Sequence, residues 1–148
     1  MMKLCIDADG CPVAALAAAL AREHGIPCVL FCDTAHQIEY PGAQTITVSK
    51  GRDSADFALV NTIEKGDLVV TQDYGLAAMS LARGARVLHQ DGKEYTAENI
   101  EGLLFSRHAA QKARRAGQRL RGAKKREPAQ DEAFSRALAQ ILAECGGD

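Results

Sequence analysis

The sequence lacks several features that would assign it to a large class of proteins. No apolar run approaches the ~20 residues of a membrane span. Asp7 and Asp9 interrupt the first apolar stretch, which argues against a secretory signal peptide. The five cysteines are odd in number and form no C-x-x-C pair, so neither a disulfide framework nor a zinc finger is indicated. We therefore expect a cytoplasmic protein with reduced thiols and no membrane contact.

One segment lacks acidic residues altogether. Between Arg107 and Arg126 lie nine of the 18 Lys and Arg residues and no Asp or Glu, which gives this basic arm a charge of +9. Because the net charge is −1, the rest of the chain carries −10. Such a split predicts contact with nucleic-acid phosphates. The arm also lacks interleaved aromatic residues that could stack on bases, so a solvated charged face is the alternative.

Apolar runs alternate with segments typical of helices, three of which end in glycine. Strands are predicted at 4–6, 28–32, 45–48, 68–71 and 86–88, and helices at 12–23, 53–65, 76–83, 96–105 and 133–142. Strands that are apolar throughout are buried on both faces. The sequence therefore predicts an α/β fold with a mainly parallel sheet of about five strands, covered by helices.

Acidic residues follow these strands at places that a parallel sheet brings to one edge. The carboxylates expected at this edge are Asp7, Asp9, Asp33, Asp53, Asp56 and Asp73. The crevice beyond the carboxyl ends of the strands is the usual ligand site of such sheets. Clustered carboxylates destabilise a fold unless a cation is present, and all-oxygen ligation is typical of Mg²⁺ or Mn²⁺. The pattern predicts a Mg²⁺ or Mn²⁺ site that could activate water at a phosphodiester.

Structural roles are alternative explanations for most of these acids. Asp53 with Asp56, and Asp73 alone, are suited to capping the helices that they begin. Asp9 precedes a glycine and fits a turn. Asp7 directly ends a buried strand and caps nothing, and a carboxylate there is costly unless a cation or donor meets it. Asp7 is therefore the strongest candidate.

Other residues are weaker candidates for the same crevice. Accessory roles are possible for three side chains: Asp33, His36 and Thr71. Cys11 begins a helix, but the arginine that a thiol phosphatase needs is missing, which favours a small buried residue. The cations expected to contact nucleic acid are Lys50, Arg52, Arg107, Lys112, Arg114, Arg115, Arg119, Arg121, Lys124, Lys125 and Arg126. For Lys50 and Arg52, pairing with the nearby acids is the alternative.

Several long motifs run through the chain. They are Asp7–Val13 (DADGCPV), Gly51–Asp56 (GRDSAD), Gly66–Asp73 (GDLVVTQD) with Leu76-Ala77, Tyr95-Thr96 with Asn99-Ile100, Arg107-His108, Gly122–Arg126 (GAKKR), and Asp131 with Phe134. Together these motifs resemble the bacterial YaiI/YqxD family nearly end to end. Gly10 stands where that family usually has Ala, and Ala123 where it usually has Pro, but neither departure removes a carboxylate.

The resemblance implies a fold and an activity, because this family is placed in the PIN-like superfamily. That superfamily has a three-layer α/β/α sandwich with an acidic, metal-binding nuclease site. Residues 1–106 would then form the PIN-like domain, and residues 107–148 would extend it with the basic arm and a final helix. The metal-binding acids implied are Asp7, Asp53 or Asp56, and Asp73.

We expect a Mg²⁺- or Mn²⁺-dependent nuclease that acts on RNA in preference to DNA. Its catalytic acids would be Asp7, Asp9, Asp53, Asp56 and Asp73. Two alternatives stay open. One is a haloacid-dehalogenase-type phosphatase with Asp7 as nucleophile and Thr71 binding phosphate. The other is an RNA-binding protein without catalytic activity. The oligomeric state is not predicted.

Overall fold

A computed structural model describes residues 2–33, 38–48, 54–117 and 125–145 of the chain. Within these described residues, six strands and five helices follow one another. They are β1 (Leu4–Asp7), α1 (Ala14–Glu23), β2 (Cys28–Asp33), β3 (Ala43–Val48), α2 (Ser54–Thr62), β4 (Leu68–Val70), α3 (Tyr74–Ala82), β5 (Arg86–Leu88), β6 (Glu94–Tyr95), α4 (Ala97–Arg115) and α5 (Pro128–Cys145).

The six strands form one sheet in the order β3-β2-β1-β4-β5-β6. All neighbours are parallel except β6, which runs antiparallel to β5. The predicted α/β fold with a mainly parallel sheet is thus confirmed. Strands β2 and β3 follow β1 on one side of it, and β4 then pairs with the other side of β1. This reversal of strand order opens a crevice between the carboxyl ends of β1 and β4.

Helices cover both faces of the sheet, which gives the three layers of an α/β/α sandwich. Successive residues of a strand point to opposite faces. Leu4 and Ile6 of β1 accordingly pack with α1 and α5, whereas Cys5 between them packs with α2, α3 and α4. All three side chains are fully buried. Burial on both faces explains why the strands are continuous apolar runs in the sequence.

The C-terminal helix α5 is part of the main core. Its buried residues Phe134 and Leu138 join the same cluster as β1 and α1. The turn before β6 packs so closely on α5 that a Cβ atom added to Gly92 would lie 2.7 Å from the carbonyl oxygen of Ala133. With a φ of +93°, Gly92 also has a backbone conformation that other residues rarely adopt. Both observations explain why a glycine is needed at this contact.

Two helices are longer than the sequence predicted. Helix α4 starts at a capping box in which Thr96 and Asn99 bond to each other's backbone N–H groups, and it continues to Arg115. It therefore passes from the α/β domain into the basic arm without a break. Residues 106–115 lack apolar periodicity, but most are good helix formers, and basic residues favour the last turn of a helix. The last helix, α5, begins at Pro128 and ends at Cys145.

The start of β4 is held by a buried acid, Asp67, which directly precedes the strand. Asp67 is only 2% exposed, and its Oδ2 accepts hydrogen bonds from Nζ of Lys3 (2.6 Å) and from the backbone N–H of Glu64 (2.8 Å). The ion pair ties β4 to the residue that precedes β1.

Among the described helices, none has the length and apolar character needed to cross a membrane.

Candidate active site at the carboxyl edge of the sheet

Asp7 lies at the carboxyl end of β1, at the crevice where the strand order reverses. Its Oδ2 accepts a hydrogen bond of 2.8 Å from the Oγ1 hydroxyl of Thr71, which directly follows β4. The same Oγ1 accepts a hydrogen bond of 3.0 Å from the backbone N–H of Asp73. Thr71 is itself 1% exposed. One buried hydroxyl therefore fixes Asp7 relative to Asp73 across the two central strands.

The electrostatic surroundings of Asp7 disfavour its ionised form. Burial is the main cause, and it raises the pKa of Asp7 to about 7 from an ordinary value near 4. The hydrogen bond from Thr71 opposes this rise, whereas the negative charges of Asp56, Asp73 and Asp9 add to it. Three of the acids that the sequence places at this edge therefore lie close enough to Asp7 for their negative charges to raise its pKa. A cation at the edge would reverse the effect.

Asp73 caps a helix with one of its two carboxylate oxygens. As the N-cap of α3, it accepts hydrogen bonds from the backbone N–H groups of Gly75 (2.8 Å) and Leu76 (3.1 Å). Nη1 of Arg107 lies 3.5 Å from the same carboxylate oxygen. All three contacts use Oδ1, and Oδ2 makes no hydrogen bond to the described residues. The capping alternative is therefore correct for Asp73, and it leaves Oδ2 available to a ligand.

Asp9 belongs to the turn after β1 and contacts the neighbouring strand. Its Oδ2 accepts a hydrogen bond of 3.0 Å from the backbone N–H of Asp33, the last residue of β2. The positive φ of Gly10 (+67°) is what the turn explanation for this segment requires. Asp9 consequently links the ends of β1 and β2, and its charge still acts on Asp7.

Asp56 lies in the first turn of α2, where a negative charge interacts favourably with the positive end of the helix dipole. The same charge raises the pKa of Asp7.

Several residues singled out in the sequence fall outside the described residues. They are His36, Lys50, Arg52, Asp53, Arg119, Arg121 and Lys124. Their proposed roles therefore stay predictions.

Whether a metal ion can bind at this edge depends on how many ligands the protein itself must supply. Within the part of the chain that the structure describes, no three His, Cys, Asp or Glu side chains could hold an ion together. Mg²⁺ commonly binds through one or two carboxylates, with water and substrate phosphate as its other ligands. Oδ1 of Asp7 and Oδ2 of Asp73 both lack a hydrogen bond to described residues. The donor set fits an ion of that kind.

Two of the weaker candidates have structural explanations. The hydroxyl of Thr71 both donates and accepts a hydrogen bond within the protein, so it is not free to bind phosphate as the phosphatase alternative requires. Burial raises the pKa of the Cys11 thiol, which keeps it protonated and poorly nucleophilic at neutral pH.

The described part of the basic arm contains two kinds of cation. Exposed residues are Arg107, Lys112, Arg114, Arg115 and Lys125. Arg126 differs, because its guanidinium donates hydrogen bonds to Asp91 (2.6 Å), Asp131 (2.7 Å) and the carbonyl of Gln90 (2.8 Å). These contacts join α5 to the turn before β6. A structural role therefore accounts for Arg126.

The sequence did not reveal the Thr71–Asp7 hydrogen bond or the exposed apolar side chains beside the acids. Thr71 is recognisable only as a polar residue after an apolar strand. Phe57 and Met79 are 60% and 40% exposed, and they line a cleft together with Asp56, Asp73 and Arg107. In the sequence Phe57 occurs only as one apolar residue of a helix pattern, and such a pattern does not distinguish a buried from an exposed position.

Comparison with known proteins gives one consistent family. The protein-family model described as "Uncharacterized BCR, YaiI/YqxD family" matches residues 5–144 of the chain. The chain is 50% identical over 143 residues to a UPF0178 protein of Exiguobacterium sibiricum, covering 97% of this chain and 98% of the relative. It is 48% identical over 141 residues to a UPF0178 protein of Ruminiclostridium cellulolyticum (95% and 92%) and 40% identical over 145 residues to one of Bacillus anthracis (96% and 99%). No solved structure matches the chain.

Proposed function

The chain belongs to the YaiI/YqxD family, and we propose that it is a Mg²⁺- or Mn²⁺-dependent nuclease that hydrolyses phosphodiester bonds of RNA. One observation carries the proposal. A mostly buried carboxylate, Asp7, ends the central strand at the crevice, and three other acids act on its charge. Such an arrangement destabilises a protein unless a cation enters it, so it is most readily explained as a binding site for one.

The residues at the edge have separable roles in this proposal. Asp7 and Asp73 hold the ion, and Thr71 sets the position of Asp7. Asp9, Asp56 and Asp53 complete the surroundings of the ion or orient the attacking water. When bound, a divalent ion supplies a water nucleophile at neutral pH and neutralises charge on the phosphodiester.

The choice of nucleic acid as substrate rests on charge. The acidic edge cannot attract a polyanion by itself. Arg107 reaches Asp73 from α4, and the same helix carries further exposed cations towards its end. These residues would hold the phosphate backbone while the acids hold the metal. RNA is the first substrate to test, and DNA of the same sequence is the comparison.

The decisive experiment measures cleavage of a single-stranded RNA with Mg²⁺, with Mn²⁺ and with a chelator. Asp7→Asn and Asp73→Asn should each abolish cleavage. Both should leave the fold intact, since Asn matches Asp in shape and also caps helices. Glu23→Gln is the matched control, because Glu23 is exposed at the end of α1, on the opposite edge of the sheet. Circular dichroism and thermal unfolding verify that each variant is folded.

Three outcomes would contradict the proposal. Wild-type protein that cleaves neither RNA nor DNA with either metal would remove the catalytic claim. Trapping of a phosphoryl analogue on Asp7 would instead favour the phosphatase, because a metal-activated water leaves no covalent intermediate. Salt-sensitive RNA binding that survives both chelation and the Asp→Asn changes, without cleavage, would favour a protein that only binds RNA.

A further inference from the structure

A cleft of about 370 Å³ adjoins the acidic edge and has walls of mixed chemistry. Asp56 and Asp73 line one part of it, Arg107 another, and Phe57 with Met79 the apolar part. Its volume is in the range of small-molecule sites, which is enough for a nucleotide and far too small for a double helix. The cleft therefore joins the candidate metal ligands to an apolar surface.

The apolar surface of this cleft is unusually accessible. The side chain of Phe57 is 60% exposed and that of Met79 is 40% exposed, whereas Leu76, which also lines the cleft, is only 1% exposed. A single exposed apolar residue needs no explanation, but two that line one cleft beside charged groups indicate a binding surface. An exposed aromatic ring presents a face on which a nucleobase of any sequence can stack.

Arg107 supplies the cation that the neighbouring phosphate would need. Its ion pair with Asp73 is long, at 3.5 Å, and the Arg107 side chain is 48% exposed. Exposed ion pairs of this kind contribute little to stability, so the guanidinium can move to a phosphate at little cost. Arg114, seven residues further along α4, lies on nearly the same helix face, about 10 Å away. A strand that leaves the cleft along α4 would meet this second exposed cation.

We propose that the cleft binds one unpaired nucleobase of a single-stranded nucleic acid, stacked on Phe57, with the adjoining phosphate between Arg107 and the acidic edge. The inference rests on the proposed function and narrows its substrate to single strands. The arrangement of cations favours this occupant over a second copy of the chain. Arg107 in the cleft lining and the exposed Arg114 further along α4 suit the phosphates of a polyanion, whereas apolar contact alone would explain Phe57 and Met79 without Arg107.

The absence of tryptophan from the chain allows a direct test. Phe57→Trp places a single indole in the cleft, and Phe105→Trp places one at another exposed phenylalanine, on α4 and outside the cleft lining. Both are made together with Asp7→Asn, so that no metal-dependent cleavage occurs during the titration. Each protein is titrated, with Mg²⁺ present, against a ten-nucleotide RNA, the same strand annealed to its complement, and an abasic strand of equal length.

We expect the single strand to quench the Phe57→Trp fluorescence. The duplex and the abasic strand should bind with about ten-fold lower affinity, or cause no quenching. The Phe105→Trp fluorescence should change little. In binding assays, Phe57→Leu should lower the affinity for the single strand about ten-fold, whereas Phe57→Tyr, which keeps the ring, should retain it.

Equal quenching of both indoles, or equal quenching by single strand and duplex, would overturn the proposal. So would a Phe57→Trp emission that changes with protein concentration in the absence of RNA, because a second copy would then occupy the cleft. The outcome is separable from that of the proposed function. Selective quenching without cleavage by the wild-type protein would support the base-binding site and contradict the nuclease. Cleavage by the wild-type protein without selective quenching would support the nuclease and contradict the base-binding site.

Discussion

The Thr71 hydroxyl donates a hydrogen bond of 2.8 Å to the Asp7 carboxylate, although the two residues lie 64 positions apart in the chain. The contact connects the ends of the two strands that flank the reversal of strand order. Because the same oxygen accepts the Asp73 N–H, the two acids proposed as metal ligands share one buried anchor. In the proposed enzyme Thr71 would thus be a positioning residue, and we expect its effect on cleavage to act through Asp7.

Replacing this hydroxyl should affect both stability and the pH profile. Thr71→Val keeps the shape but removes the donor to Asp7 and the acceptor for the Asp73 N–H. We expect a loss of about 1–3 kcal/mol in the free energy of unfolding, measured with urea. Since the hydrogen bond from Thr71 lowers the pKa of Asp7, its loss should move the acidic limb of the cleavage–pH profile upwards. Thr71→Ser retains the hydroxyl and is the control. A Val variant with an unchanged pH profile would rule out positioning of Asp7 by this bond.

The stability of the metal-free protein should depend on the protonation of Asp7. The folded carboxyl has a pKa of about 7, whereas the unfolded one has its ordinary value near 4. Between these pH values the folded state holds the proton that the unfolded chain releases, so raising the pH favours unfolding. In the presence of a chelator, stability should therefore fall from pH 4 to pH 7, through Asp7 by at most about 4 kcal/mol.

Asp7→Asn isolates this contribution, because every other titrating group is shared with the wild type. Urea unfolding of both proteins across this pH range gives the difference directly. Mn²⁺ should reduce the difference at pH 7 by binding the ionised carboxylate. Parallel stability curves for the two proteins would show that Asp7 has no such shift.

Two arginines of the basic arm should behave in opposite ways. Arg126→Gln breaks charged hydrogen bonds to Asp91 and Asp131, and we expect it to lower the free energy of unfolding by about 1–3 kcal/mol. RNA affinity of the folded variant should change little. Arg107→Gln should leave stability within about 0.5 kcal/mol, weaken RNA binding, and reduce the slope of log affinity against log salt by about one.

Urea unfolding and fluorescence anisotropy at several salt concentrations measure both properties on the same samples. If Arg126→Gln reduced the salt slope as much as Arg107→Gln, then Arg126 would contact RNA despite its internal partners. If Arg107→Gln left the salt slope unchanged, the basic helix would not lie on the path of the nucleic acid.

Much of the fold was predictable because its signals are local. Continuous apolar runs such as Cys28–Cys32 identified strands buried on both faces, and glycines at helix ends marked the returns. The two-residue strand β6 was missed because so short a segment has no periodicity. The full length of α4 was missed because a charged helix exposed over its last turns has no apolar stripe.

The sequence by itself determined that acids stand at strand ends, and that Asp7 in particular has no local role. This follows from the order of residues along the chain, which fixes what ends a strand and what can cap a helix. Only the tertiary structure decided which acids meet. Placing β4 beside β1 brings Thr71 and Asp73 to Asp7, and folding α5 against the turn before β6 turns Arg126 inwards. These contacts join residues 35 and 64 positions apart, and no local pattern encodes such pairs.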